Sequence, residues 1–243
     1  LHGAMDDTSL RTLEERLRYL RGLAERKEAV KSAIEEQGKL NAELKKQILE
    51  AQTLVVVEDL YRPYRPKRRT RATIAKEKGL EPLANIISLQ MTKKPLEEEA
   101  QAFLSEEKEV TSVEQAIAGA KDILAERISD EADYRIRIRD LTTKKGTISS
   151  VAKDPKAQSV YEMYYEFEEP IKKLAGHRIL ALNRGEKEKF LTVKVNAPEE
   201  EILRYLEHQV ITKENPVTSP VLKEVVDDCY KRLIAPAIER EIR

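Results

Sequence analysis

Residues 10 to 24 read Leu-Arg-Thr-Leu-Glu-Glu-Arg-Leu-Arg-Tyr-Leu-Arg-Gly-Leu-Ala. The return of Leu10, Leu13, Leu17, Leu20 and Ala24 every three or four positions places an apolar stripe along a helix. The pattern predicts a first helix from near Thr8 to Gln37, closed by Gly38, which can take the left-handed conformation at a helix end. Asn41 then caps a second helix with Leu44, Ile48 and Leu49 facing inward, and Leu54 to Leu60 forms a third apolar patch.

The helical period returns downstream. It runs through Val113, Ala116, Ile117, Ala120, Ile123, Leu124 and Ile128, then through Ile136, Ile138 and Leu141 as far as Gly146. A last helix is expected from Ser219 to Arg243 on Val221, Leu222, Val225, Val226, Cys229, Leu233 and Ile238, with Pro236 bending it without ending it. Phe190, Thr192, Val193 and Val195 alternate as a strand does, and a strand needs a partner, either a short segment near Thr147 to Val151 or a region outside this chain. The expected fold class is mainly α: a multi-helix array with a helix-turn-helix-like unit and at most a small β element near residues 189–195. Composition points the same way, since 36% of residues are charged and only 8 of 243 are glycine, against a usual charged share of about a quarter.

Composition also narrows function. No apolar run approaches the roughly 20 residues that a membrane-spanning helix needs, and no apolar core of a secretory signal is present, so a cytoplasmic setting is expected. Cys229 is the single cysteine and cannot form an internal disulfide; its helical context suits a buried thiol. His2, His177 and His208 are scattered, and no glycine loop is arranged to cradle phosphate. No catalytic residue, metal ligand or cofactor site is therefore expected, and Asn183-Arg184-Gly185-Glu186 reads as structural, with Gly185 closing a short helix that starts at His177.

Net charge is zero, so any polyanion site must be local. One stretch qualifies. Residues 61 to 71 read Tyr-Arg-Pro-Tyr-Arg-Pro-Lys-Arg-Arg-Thr-Arg, with Arg62, Arg65, Lys67, Arg68, Arg69 and Arg71 beside two tyrosines. Clustered cations with aromatics are the footprint of nucleic-acid binding, and Pro63 and Pro66 forbid a continuous helix, which places the cations on a stiff connector. The competing reading is a linker whose arginines pair with nearby acids. Ala72 to Lys78, Gly79 and a helix opening with Pro82 outline a helix-turn-helix, but Leu83 to Leu89 carries no cation to read base edges, so phosphates are the expected target. Tyr161, Tyr164, Tyr165 and Phe167 alternate with glutamates, which favours a core or a protein-facing surface over base stacking.

Three stretches together resemble the Tex family of bacterial transcription accessory proteins. They are Asp6-Asp7-Thr8 with Leu10 to Leu20; Asp59-Leu60-Tyr61, Pro63-Tyr64, Pro66 to Thr70 and Gly79 to Ala84; and His177-Arg178 with Leu180 to Glu186. Arg62 departs from the pattern, which more often has an aliphatic residue there. The resemblance implies an all-helical fragment, an N-terminal helical region over 1–91 with its basic connector at 61–71, and a central region over 92–243 ending in a long helix toward a domain absent here. Leu1 to Met5 reads as an imperfect start. The implied activity is non-catalytic, non-specific binding of RNA or DNA in transcription, with the transcription machinery as a possible partner and no membrane. The alternative is a helical scaffold that positions nucleic-acid-binding domains located elsewhere in the full-length protein.

Overall fold

A computed structural model describes residues 7–243; His2, Asp6 and the expected imperfect start at Leu1 to Met5 lie outside the described residues. The described residues fall into two compact units, one running to residue 66 and including 130–132, the other of 67–129 with 133–243.

In the first unit, α1 spans Asp7–Glu36, α2 Ala42–Glu50 and α3 Leu54–Tyr61. Gly38 takes a φ of 70°, as the stop signal required. Asn41 Oδ1 accepts from the Leu44 amide at 2.8 Å and Thr53 Oγ1 from the Val56 amide at 3.3 Å, so both later helices carry caps of a kind worth about 1 kcal/mol. Leu23, Val30, Ile34, Leu44, Ile48, Val57 and Leu60 form the core. The expected apolar stripe is present but open, and one expectation fails. The leading stripe of α1 does not face that core: Leu10, Leu13, Leu17 and Leu20 are 42–47% exposed. Leu49 is likewise exposed, because Leu44 and Ile48 already fill the one inward face of a nine-residue helix.

The second unit is larger. It opens with α4 Arg71–Glu77, α5 Glu81–Leu89, α6 Leu96–Gln101, α7 Val113–Ser129 and α8 Ala132–Lys145, of which residue 132 belongs with the first unit. Their apolar faces meet in one core with Leu80, Leu83, Ile87, Ile123 and Ile138 fully buried. Gly119 on α7 is where the turn between α4 and α5 closes in, since a Cβ there would stand 2.3 Å from Leu80 Cδ1.

A three-stranded antiparallel sheet follows, β1 Thr147–Ala152, β2 Glu166–Pro170 and β3 Leu191–Asn196, in the order β2-β1-β3. The expected partnership holds, with Ile148 opposite Val195. β2 was not legible, because its exposed glutamates alternate with only a single aromatic, Phe167. Ile148, Tyr161, Tyr164, Leu182, Leu191 and Val193 make a small separate core, so the aromatic segment is core material. In α9, Gly176–Lys187, Gly185 does not close the helix as expected. It is a contact point: a Cβ on it would lie 2.5 Å from Leu191 Cδ1, and the positive φ after the helix falls on Lys189 instead.

The chain continues through α10, Glu199–Val210, into α11, Thr218–Asp228, six residues of π-helix at Cys229–Ile234, and α12, Ala235–Ile242. The run thus stays helical through Pro236, as expected. The widened π-turn restarts the hydrogen-bond register so that the proline, with no N–H to give, falls in the first turn of α12. Cys229 is buried within this run.

Candidate nucleic-acid interface

The basic stretch is shorter as irregular chain than its composition suggested. Tyr61 is the last residue of α3 and Arg71 the first of α4, leaving residues 62–70 as the connector. It begins in the first unit and ends in the second, and its two halves treat their cations differently.

In the first unit the chain leaves α3 through a turn in which the Tyr64 amide donates to the Tyr61 carbonyl at 2.9 Å, and Gln37 Nε2 donates to the Tyr64 carbonyl at 2.7 Å. Glu58, one turn back on α3, collects two cations. Arg26 Nε donates to its Oε1 at 2.5 Å and Nη2 to Oε2 at 3.2 Å, and Arg65 donates to Oε2 as well. Both guanidiniums lie near the Tyr61 ring, 5.3 and 5.5 Å from its centroid. Burial pushes the Glu58 carboxyl up, yet the Arg26 hydrogen bonds and the charges of Arg26 and Arg65 outweigh it and hold it below the ordinary value. The same pair raises Arg26. Arg62 is half-buried, and its Nε is buried with no hydrogen-bond partner among the described residues.

In the second unit the connector runs into an N-cap. Thr70 Oγ1 accepts from the Thr73 amide at 3.1 Å while Thr73 Oγ1 accepts from the Thr70 amide at 2.8 Å, a reciprocal capping box. Thr70 Oγ1 also donates to Glu126 Oε2 on α7 at 2.8 Å, and Lys67 Nζ stands 3.5 Å from the other oxygen of that carboxylate. One acid therefore anchors the connector and neutralises Lys67. Beyond it the cations are open. Arg69 is 72% exposed and reaches Glu77 only at 3.9 Å. Arg68 is exposed with no ion-pair partner among the described residues, and Arg71 is exposed, its charge felt by Asp122 without an ion pair. Asp122 is nonetheless raised, since burial outweighs the pull of Arg232 and Arg71.

The helix-turn-helix outline is present in the order of α4, Gly79 with φ 77° and α5. α5 offers no arginine or lysine to a base edge. Leu83, Ala84 and Ile87 point into the core, the helix carries no cation, and Asn85 is already engaged, its Oδ1 accepting from Arg127 Nη2 at 2.7 Å. Sequence reasoning found the six cations but missed Arg26, Glu58 and Glu126, which decide which of them stay free. Glu126 lies 56 residues from Thr70 and carries no local signal. Among the described residues, no group of three His, Cys, Asp or Glu stands close enough to hold a metal, and no helix is long and apolar enough to cross a membrane.

Known proteins place this arrangement in context. The chain is 50% identical to the protein YdcI of Bacillus subtilis over 99% of its own length and 34% of that protein's. It is 39% identical to the transcriptional accessory protein Tex of Neisseria gonorrhoeae over 79% of its length and 25% of the relative's, and 29% identical to the human S1 RNA-binding domain-containing protein 1 over 98% and 25%. The chain thus spans a quarter to a third of the length of these relatives. The family described as Tex central region-like matches residues 90–243, well over half of the sequence, and the chain accordingly belongs to the Tex family.

Proposed function

We propose that this chain contributes sequence-independent phosphate contacts to a nucleic-acid-binding, non-catalytic transcription accessory protein. The observation that carries the reading is the outward exposure of Arg68, Arg69 and Arg71 beside a capped helix, with Arg68 unpaired among the described residues and Arg69 only distantly paired. Cations already satisfied by carboxylates release few counterions when a phosphate arrives; open ones release the most. Of the six candidates, Arg62, Arg65 and Lys67 are therefore secondary and Arg68, Arg69 and Arg71 primary. The lack of any cation on α5, with Asn85 already held by Arg127, supports contact with phosphates rather than bases.

The names of the relatives, one a transcriptional accessory protein and one an S1 RNA-binding domain protein, support a role beside RNA or DNA with the transcription machinery as partner, and we set that role in the cytoplasm. The central-region match starts at residue 90, which supports a division into an N-terminal region of 1–91 and a central region of 92–243 in the family's organisation. A scaffold reading has its own support in Arg65 and Lys67, both held by acids. In that reading the connector positions binding domains without touching nucleic acid itself.

Fluorescence anisotropy with a labelled single strand and a duplex, across a salt series, separates the two. Binding should be weak, independent of sequence and steeply salt-dependent. Arg68→Ala/Arg69→Ala/Arg71→Ala should lower the salt slope by about one unit per lost contact. No binding at low salt, or equal binding by the variant, would leave the scaffold.

A further inference from the structure

α1 carries two apolar faces, a sparse one that the fold buries along its later half and a leucine stripe along its leading half that the fold leaves open. Leu23, Val30 and Ile34 are buried in the first unit's core, with Tyr19 and Arg26 half-buried on the same side. At about 100° per residue, Leu10, Leu13, Leu17, Leu20 and Ala24 lie roughly 120° around the helix from that buried face. All five are exposed, and from Asp7 to Arg21 every residue but Tyr19 is exposed. A helical stretch of this length is marginal in water without packing. Leucine at four of the five seam positions points to something that sits on it.

Their spacing names the geometry. Leu10, Leu17 and Ala24 occupy the a positions of a heptad and Leu13 and Leu20 the d positions, the seam of a coiled coil. Glu14 and Arg21 then fall at e, and Arg16 at g. Charge selects among the pairings open to two copies. A parallel pair sets Arg16 against Arg21 of the other copy, and an antiparallel pair centred on Leu13 and Leu17 sets Glu14 against Glu14. An antiparallel pair in which Leu17 packs on Leu20 and Leu13 on Ala24 sets Glu14 against Arg21 twice, by symmetry. Like charges at flanking positions disfavour the first two arrangements and opposite charges favour the third. Downstream the seam ends at Lys27 and Lys31, which limits it to these layers.

We infer that the exposed seam of α1 is a self-association surface, on which a second copy of this chain docks as an antiparallel two-helix coiled coil in the Leu17–Leu20 register. The interface is isologous, so it closes as a dimer and does not propagate.

Sedimentation equilibrium of the 243-residue chain at micromolar to high micromolar concentration should give twice the chain mass. Leu17→Glu/Leu20→Glu changes only exposed side chains, so the fold should hold by circular dichroism while the dimer is lost. Glu14→Arg should weaken the dimer about tenfold or more, and adding Arg21→Glu should restore it. In an equimolar mixture of Glu14→Cys and Arg21→Cys chains, oxidation should cross-link the unlike pair; Cys229 is buried and stays out of the reaction. A wild-type chain that is monomeric throughout would overturn the inference and assign the seam to another segment or protein. A dimer indifferent to Leu17→Glu/Leu20→Glu, or cross-links dominated by the Glu14→Cys chain with itself, would overturn it equally.

Discussion

The two halves of the connector differ in what surrounds them more than in what they are made of. Before Pro66, Arg65 shares Glu58 with Arg26 against the face of Tyr61, and Arg62 is half-buried. After it, Lys67 is met by Glu126, while Arg68, Arg69 and Arg71 stand in solvent. A run of cations reads as one feature in sequence. In the fold, the carboxylates that chain topology brings alongside divide it into residues that hold the structure and residues left to meet a polyanion.

The widest expected difference between the halves is in binding. Replacing Arg68, Arg69 and Arg71 by alanine removes three open charges, and at about 0.1 M salt that should cost roughly two to three orders of magnitude in affinity. Arg65→Ala/Lys67→Ala removes two charges that are already paired and should cost less than about tenfold. Anisotropy titrations of both variants at one salt concentration test the contrast, and equal losses would erase the distinction between the halves.

Stability should show the reverse order. Glu58→Ala leaves Arg26 and Arg65 facing one another at the Tyr61 ring and should destabilise the chain by about 1–2 kcal/mol, a partly exposed pair being discounted for screening. The alanine triple variant should shift the urea midpoint scarcely at all. A Glu58→Ala chain as stable as wild type would mean that the cluster is ornamental.

The same carboxylate sets a pH dependence with a definite sign. Its folded value lies below the ordinary 4.5, so the unfolded chain binds more protons in acid. The stabilisation is complete above about pH 4.5–5 and is lost as pH falls through the folded value. Midpoints measured from pH 6 to pH 3 should therefore fall more steeply for wild type than for Glu58→Gln, in which this titration is absent; parallel profiles would show that Glu58 does not drive the loss.

How much of this was legible follows the range of each interaction. The period of Val113 to Ile128, the caps at Asn41 and the stop at Gly38 are local, and the sequence carried them. The β1–β3 partnership was legible in part, since alternation marked one strand and the stretch near Thr147 to Val151 was one of two partners open to it. What lay out of reach was set by contacts distant in sequence: Glu126 on Thr70 and Lys67, Leu191 against Gly185, and the choice of which α1 face meets α2 and α3. For α1 the reading chose the more regular leucine stripe, and the fold buried the sparser one. Periodicity reports that a face is apolar without saying what covers it.

The smallest expected effect concerns Arg62. Its Nε is desolvated without a hydrogen-bond partner among the described residues, while the Tex pattern more often has an aliphatic residue there. A buried donor left unmade costs about 1–3 kcal/mol in full desolvation, and a half-buried guanidinium whose other nitrogens reach water bears only part of that. Arg62→Leu should therefore raise stability slightly, by less than about 1 kcal/mol, through removal of the orphaned donor without loss of any ion pair. It should also leave affinity and salt slope within error of wild type, because a half-buried charge offers little to a phosphate. Urea midpoints and anisotropy on the one variant decide both. A loss of stability would show that Arg62 is held by more than its Nε reveals, and a salt slope lower by one unit would place it with Arg68, Arg69 and Arg71 among the binding cations, moving the division of the connector to before Arg62.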